Sequence, residues 1–212
     1  MGWGEVKRIF TNRKHRTAPG TWDIVWGEMI PPGNGGSILD AGSGAHIWTL
    51  ADYGEIHRCD SWQEYPNRGK KIPEGVHYLD LNAPWPFADS SFTGITSVDV
   101  IEHLENIWHF FREATRVAKD FIVITTPFVE SGFSRALFNK TGRLWGFTQD
   151  RVNTSHHITP VFRWQIARAA RENGWKVDKE DFLISEFQGN RVPPKLKGKI
   201  GRRILFMRLV PK

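Results

Sequence analysis

The sequence predicts an α/β protein: a doubly wound, mostly parallel seven-stranded sheet with helices on both faces and an antiparallel hairpin at one edge. Three observations carry this. Short, nearly continuous apolar runs alternate with amphipathic stretches, as expected of strands buried on both faces and linked by crossover helices. The run Ser37-Ile38-Leu39 leads directly into Asp40-Ala41-Gly42-Ser43-Gly44, so a buried strand ends in a carboxylate and a glycine-rich turn. The last two apolar runs follow one another with no helix between them, which suits an antiparallel pair.

Taken in order, Thr21 to Ile30 sets Trp22, Val25, Trp26, Met29 and Ile30 at helical spacing behind a Thr21 cap, and Pro31-Pro32 ends it. Strands are expected at Ser37–Ala41, Ile56–Asp60, Val76–Asp80, Gly94–Val100 and Phe121–Thr126, followed by the final pair Trp175–Ile184 and Arg203–Val210. Helices are expected around His46–Tyr53, Glu105–Ala118 and Val161–Asn173, the last closed by Gly174. Residues 1–36 read as a helical, basic extension and 37–212 as the domain. Within it, 128–160 is too long for a plain connection and stands where it would cover a substrate bound beyond the strand ends.

At 212 residues, 40% hydrophobic and 25% charged, the chain has the size and mix of one globular domain. One cysteine, Cys59, excludes an intrachain disulfide framework and a cysteine-cluster metal site, which fits a reducing, cytoplasmic setting. No apolar run approaches the ~18 residues of a membrane span. Met1 to Phe10 lacks the apolar centre of a secretory signal. The formal charge of +6 gathers at the ends, in Lys7, Arg8, Arg13, Lys14 and Arg16 and again in Arg191, Lys195, Lys197, Lys199, Arg202, Arg203 and Arg208. Such ends either attract a phosphorylated ligand or nucleic acid, or are solvated faces. With no nucleic-acid motif beside them, solvated faces are the favoured reading, and nucleic acid is a possible partner but not the favoured one.

The glycine turn carries the chemistry. Glycine permits positive φ and lets a ligand approach the backbone closely, and a helix that follows offers unpaired N–H groups. A dinucleotide fingerprint would need a small residue at its sixth position, where Ile47 stands, so hydride transfer is disfavoured. Asp60 lies 20 residues after Asp40 at the end of the second strand, where a carboxylate can accept bonds from both ribose hydroxyls. Asp80 closes the third, where it could accept from an adenine amino group while Leu81 meets the ring. A single aspartate at a strand end is also a common turn residue. Three at successive strand ends point to a nucleoside-like ligand.

These residues make the sequence resemble the class I S-adenosylmethionine-dependent methyltransferases, and among them the small-molecule group called type 11. The first motif of that family, D-x-G-x-G-x-G, is matched by Asp40, Gly42 and Gly44. A second, of the form L-P-F-x-D-x-S-F-D and then E-H-L, is similar to Trp85-Pro86-Phe87-Ala88-Asp89-Ser90-Ser91-Phe92 and Glu102-His103-Leu104. Phe121 to Pro127 is similar to the family's fifth strand. The resemblance spans roughly Ser37 to Pro127. It implies S-adenosylmethionine as cofactor, with Gly42 and Gly44 against its methionine portion, Asp60 on the ribose, Asp80 and Leu81 at the adenine, and Val100-Ile101 by the sulfonium. His46 stands where the family's last glycine is expected and would meet the methionine carboxylate. That departure also motivates a second reading, a catalytically silent binding protein.

Methyl transfer from a sulfonium has a good leaving group, so positioning and a single base suffice. His103, just past the fourth strand, and His156-His157 in the long connection are the candidate bases. Glu102, Arg143, Trp145 and Arg151 are candidate acceptor contacts. No ligand spacing among His46, His103, His156 and His157 supports a metal, and none is expected. The Asn/Asp-Pro-Pro-Tyr/Phe signature of many amino-methylating nucleic-acid enzymes is replaced by Asp99-Val100-Ile101-Glu102.

Overall fold

The computed structural model describes residues 26–27, 29–30, 36–44, 53–61, 74–130, 138–141, 157–186 and 201–212. Among them, seven strands join in one sheet: β1 (Gly36–Ala41), β2 (Gly54–Asp60), β3 (Val76–Tyr78), β4 (Phe92–Val98), β5 (Ala118–Pro127), β6 (Trp175–Glu186) and β7 (Gly201–Pro211). Their order is β3-β2-β1-β4-β5-β7-β6. The first five pair in parallel, whereas β7 runs antiparallel to both β5 and β6. The hairpin therefore folds back on itself, with the last strand inside and β6 at the edge. The expected mostly parallel sheet with an antiparallel edge pair is the one observed.

Alternation along single strands shows why both faces must be covered. On β5, Ile122 and Ile124 join one buried cluster while Phe121 and Val123 join another, and on β7 Leu205, Met207 and Leu209 oppose Ile204 and Phe206. The first cluster is closed by helices α1 (Ile107–Val117) and α2 (Arg163–Glu172), through Phe110, Phe111, Ala114, Ile166 and Ala169. The second is closed by Trp26, Met29 and Ile30, all at most 2% exposed, so this part of the N-terminal segment packs on the sheet. The remainder of the expected 1–36 extension, the helix around 46–53 and most of 128–160 lie outside the described residues.

Element ends differ from expectation for local reasons. Helix α1 starts at Ile107 rather than Glu105, because the Asn106 side chain accepts the His109 N–H at 3.0 Å and caps it there. Strand β4 stops at Val98, not Val100. Asp99 takes a φ of +53° while its N–H donates to the Thr125 carbonyl and hydroxyl, and the chain turns into a 3-10 turn at Ile101–His103. Strand β3 stops at Tyr78. Asp80 therefore does not close a strand but sits in the next turn, its carboxylate accepting the Asn82 N–H at 2.9 Å.

The Trp85 to Phe92 motif is held by helix α1. Arg116 donates to the carbonyls of Trp85 and Phe87 and to the carboxylates of Asp89 and Glu113, while Glu113 also accepts the Trp85 N–H. These bonds push the guanidinium pKa up and hold the Glu113 carboxyl below its ordinary range.

Gly94 lies between β1 and β5, and a Cβ placed there would come within 2.1 Å of the Phe121 ring. Gly94→Ala should lower stability by about 1–3 kcal/mol in urea unfolding. Adding Phe121→Leu should cost less in the Gly94→Ala variant than in the wild type, giving a measurable coupling between the two sites.

Candidate active site

The strand order places a topological switch point between β1 and β4, where the chain has gone outward to β3 and returned on the other side of β1. Ligands of open α/β sheets bind in the crevice beyond the carboxyl ends at such a point. Here β1 ends at Ala41, and Gly42 (φ +83°) and Gly44 (φ +58°) turn the chain with dihedrals that side chains disfavour. The turn is bolted to the end of β2: the N–H groups of Gly42 and Ser43 donate to the Cys59 carbonyl at 2.8 and 3.0 Å, and that of Gly44 to the Asp60 carboxylate at 2.8 Å. Across the crevice stands Val100. A Cβ on Gly42 would approach its side chain to 2.5 Å, whereas one on Gly44 would meet nothing within 4 Å among the described residues. The turn thus closes on Val100 at Gly42, while no described residue fills the space beside Gly44.

Beneath it, Asp40 is 1% exposed. Its Oδ1 accepts from the Thr96 hydroxyl at 3.1 Å, while Oδ2, like the buried Ser43 hydroxyl, has no hydrogen-bond partner among the described residues. Burial pushes the Asp40 pKa up to about 7, against the opposing effects of the Thr96 bond and Arg58, and Asp60 adds to the rise. Burial, with Asp40 and Asp60 nearby, likewise lifts the Cys59 thiol to about 11, so it is no nucleophile at neutral pH. Unsatisfied acceptors under an open glycine cradle fit a ligand with polar hydrogens, such as the amino-acid end of S-adenosylmethionine.

A second group lies past the end of β4. Glu102 in the 3-10 turn is 0% exposed, and its Oε2 accepts from Thr126 at 3.1 Å. His157 brings Nε2 to 3.8 Å from Glu102 Oε1, and its ring meets His103 edge to face with centroids 4.8 Å apart. Two main-chain bonds fix this approach, because the N–H groups of Ile158 and Thr159 both donate to the Glu102 carbonyl at 3.0 Å. Thr159 Oγ1 adds a bond to the Leu104 carbonyl at 2.5 Å.

Of the residues singled out from sequence, Asp40, Gly42, Gly44, Asp60 and Val100 come together at the crevice, and Glu102, His103 and His157 at its neighbour. Asp80 lies in its own turn, and Leu81 is 5% exposed within the core. Glu102, expected to meet the acceptor, has a side chain buried behind His157. His46, His156, Arg143, Trp145 and Arg151 lie outside the described residues. Sequence reasoning passed over Thr96 and Thr126. The signal was present, since a hydroxyl inside an apolar strand needs a buried partner.

Residues 39–121 match the family described as a methyltransferase domain. Among the curated proteins, none matches the chain. Solved structures do. A protein from the complex of the Haloferax volcanii Trm112 methyltransferase activator with a methyltransferase superposes with TM-score 0.58 at 17% identity, over 91% of this chain and 92% of that one. An S-adenosylmethionine-dependent methyltransferase from Thermotoga maritima gives 0.55 at 13%, over 90% and 88%. Magnesium protoporphyrin IX methyltransferase from Synechocystis, with bound S-adenosylhomocysteine, gives 0.55 at 14%, over 91% and 82%. At such identities the likeness is one of fold. The match over residues 39–121 marks a methyltransferase domain, an enzyme domain that uses S-adenosylmethionine, on a fold shared with the class I methyltransferases. The matched stretch runs from within β1 into β5.

A carboxyl with a folded pKa of about 7 against 3.8 in the unfolded chain holds its proton longer when folded, so its contribution to stability is full below pH 3.8 and lost as pH rises through 7. Asp40→Asn should therefore gain stability relative to wild type on moving from pH 5 to pH 8, measured by urea unfolding of the ligand-free proteins at both.

Proposed function

We infer that this chain transfers a methyl group from S-adenosylmethionine to an oxygen or nitrogen of a small molecule, with a glycan or a phosphorylated metabolite among the candidates, and that it does so in the cytoplasm. The observation that carries the acceptor side is the pairing of His157 with the fully buried Glu102 beside His103, in the turn that follows Val100 at the glycine crevice. S-adenosylmethionine, when bound, supplies a methyl on a sulfonium and leaves as S-adenosylhomocysteine.

The chain's own residues divide the remaining work. Gly42 and Gly44 offer backbone close to the methionine portion, with the Asp40 carboxylate beneath to accept from its ammonium. Asp60 shapes the turn through Gly44 and stands where ribose hydroxyls would donate. Asp80 and Leu81 would border the adenine, and His46 the methionine carboxylate. His157 takes the proton that the acceptor loses, and Glu102 orients the imidazole and stabilises its charged form. His103, whose ring meets that of His157, and His156 are the alternative bases. Arg143, Trp145 and Arg151 supply acceptor contacts from the segment 128–160. No helix among the described residues is long and apolar enough to cross a membrane. A free, buried Cys59 accords with a reducing compartment.

The net charge of +6 motivates a second reading, methylation of nucleic acid. Calorimetry with S-adenosylhomocysteine should give micromolar-range binding, about −8 kcal/mol, weakened about 10- to 100-fold in Asp60→Ala. Labelled methyl should then pass from S-adenosylmethionine into the small-molecule fraction of a cell extract, and His157→Ala should cut this by about 100-fold or more while keeping cofactor affinity. Label in RNA or DNA would support the second reading. Cofactor binding with no transfer to any fraction would support a silent binding protein.

A further inference from the structure

The group at the end of β4 has the composition of a metal site as well as of a base pair. One ligand atom from each of Glu102, His103 and His157 lies within 4.8 Å of the other two. We propose that these three side chains bind a divalent transition-metal ion, Zn2+ by the donor set, with its remaining positions directed at the methyl acceptor.

Two imidazoles and one carboxylate suit zinc and its first-row neighbours rather than magnesium or calcium, which prefer all-oxygen sites. Catalytic zinc sites keep three protein ligands and leave a further position for water or substrate. Bonds of about 2.0–2.2 Å in a tetrahedron place ligand atoms roughly 3.4 Å apart. The His157 to Glu102 separation of 3.8 Å is close to that, and with all three ligand atoms within 4.8 Å closure around an ion asks for adjustment of about 1.4 Å at most.

The supports of a metal site are also built. A ligating carboxylate is normally held by an outer hydrogen bond, and Thr126 holds Glu102 Oε2, leaving Oε1 as the oxygen turned toward His157. Glu102 and His103 are adjacent in one 3-10 turn. His157 comes from 54 residues beyond His103 and is brought in by the two N–H bonds of Ile158 and Thr159 to the Glu102 carbonyl. The ligand from afar is thus fastened to the backbone of the ligand it must meet. Glu102 is wholly buried, so bulk water does not compete for its oxygens.

In functional terms this rests on the acceptor-site reading above and changes the part His157 plays in it. With the ion bound, His157 is a ligand, and an acceptor hydroxyl coordinated to the ion loses its proton to solvent because the cation lowers its pKa. Acceptors with a second oxygen beside the first, able to chelate, would be favoured.

The test uses the full-length, tag-free protein after chelator treatment and dialysis. Zn2+ titration by calorimetry should show one ion per chain with a dissociation constant in the micromolar range or below. Co2+ in its place should give the visible absorption of a four- or five-coordinate ion. His157→Ala and Glu102→Gln should each lower Zn2+ affinity by at least about 100-fold, and Thr126→Val, which keeps every ligand, by about 10-fold. S-adenosylhomocysteine affinity, unchanged in all three, serves as the folding control. No Zn2+ binding, or binding equal in the wild type and the His157 variant, overturns the proposal and leaves His157 as proton acceptor. Loss of S-adenosylhomocysteine binding in Asp60→Ala with Zn2+ binding intact would separate the metal site from the cofactor site.

Discussion

The structure depends on how β1 ends. Because β2 and β4 flank β1 in parallel, the chain leaving β1 must turn at once in a crowded crevice, and the first residue past the strand faces Val100 with no room for a Cβ. Glycine at 42 answers both the steric limit and the positive φ. The N–H groups of the turn are then used to hold it against the end of β2, through the Cys59 carbonyl and the Asp60 carboxylate. Asp60 is thereby committed to shaping the backbone of the turn. Asp40 is buried under the turn with one oxygen bonded by Thr96, and burial, against the effect of that bond, is why its proton is retained to about pH 7.

The same reliance on strand ends builds the group of Glu102, His103 and His157. Asp99, at positive φ, locks the end of β4 to Thr125, and the next polar residue along β5, Thr126, holds Glu102. Neighbouring threonines on one strand therefore serve the two halves of the crevice edge. The Trp85 to Phe92 motif, which resembles a family signature, plays a structural part, because its carbonyls and Asp89 converge on Arg116 and fasten the connection before β4 to helix α1. Signature residues in this chain are thus divided between those that face the crevice and those that hold the scaffold still.

Much of the fold is legible in the sequence, because apolar runs such as Phe121 to Thr126 can be buried only between two covered faces, and Asp40 to Gly44 has few conformations available. The ends of elements are less legible. Val76 to Asp80 reads as a strand, yet Asp80 bonds the Asn82 N–H and takes the chain into a turn, a local contest between side-chain and ladder hydrogen bonds that periodicity does not register. Gly94 to Val100 likewise reads through Asp99, whose partner Thr125 is a tertiary neighbour.

By itself the sequence determined the class of sheet, the glycine turn with its carboxylates, and the methyltransferase resemblance, since these follow from periodicity and from residue types confined to short stretches. Tertiary structure alone decided that the last strand lies inside the sheet, that Glu102 is buried, and that His157 reaches it across 55 residues of chain. The physical reason is the same in each case. Hydrogen bonds between distant segments, Glu102 to Ile158 and Thr159 among them, form only once the sheet has set the distances, and no spacing along the chain encodes them.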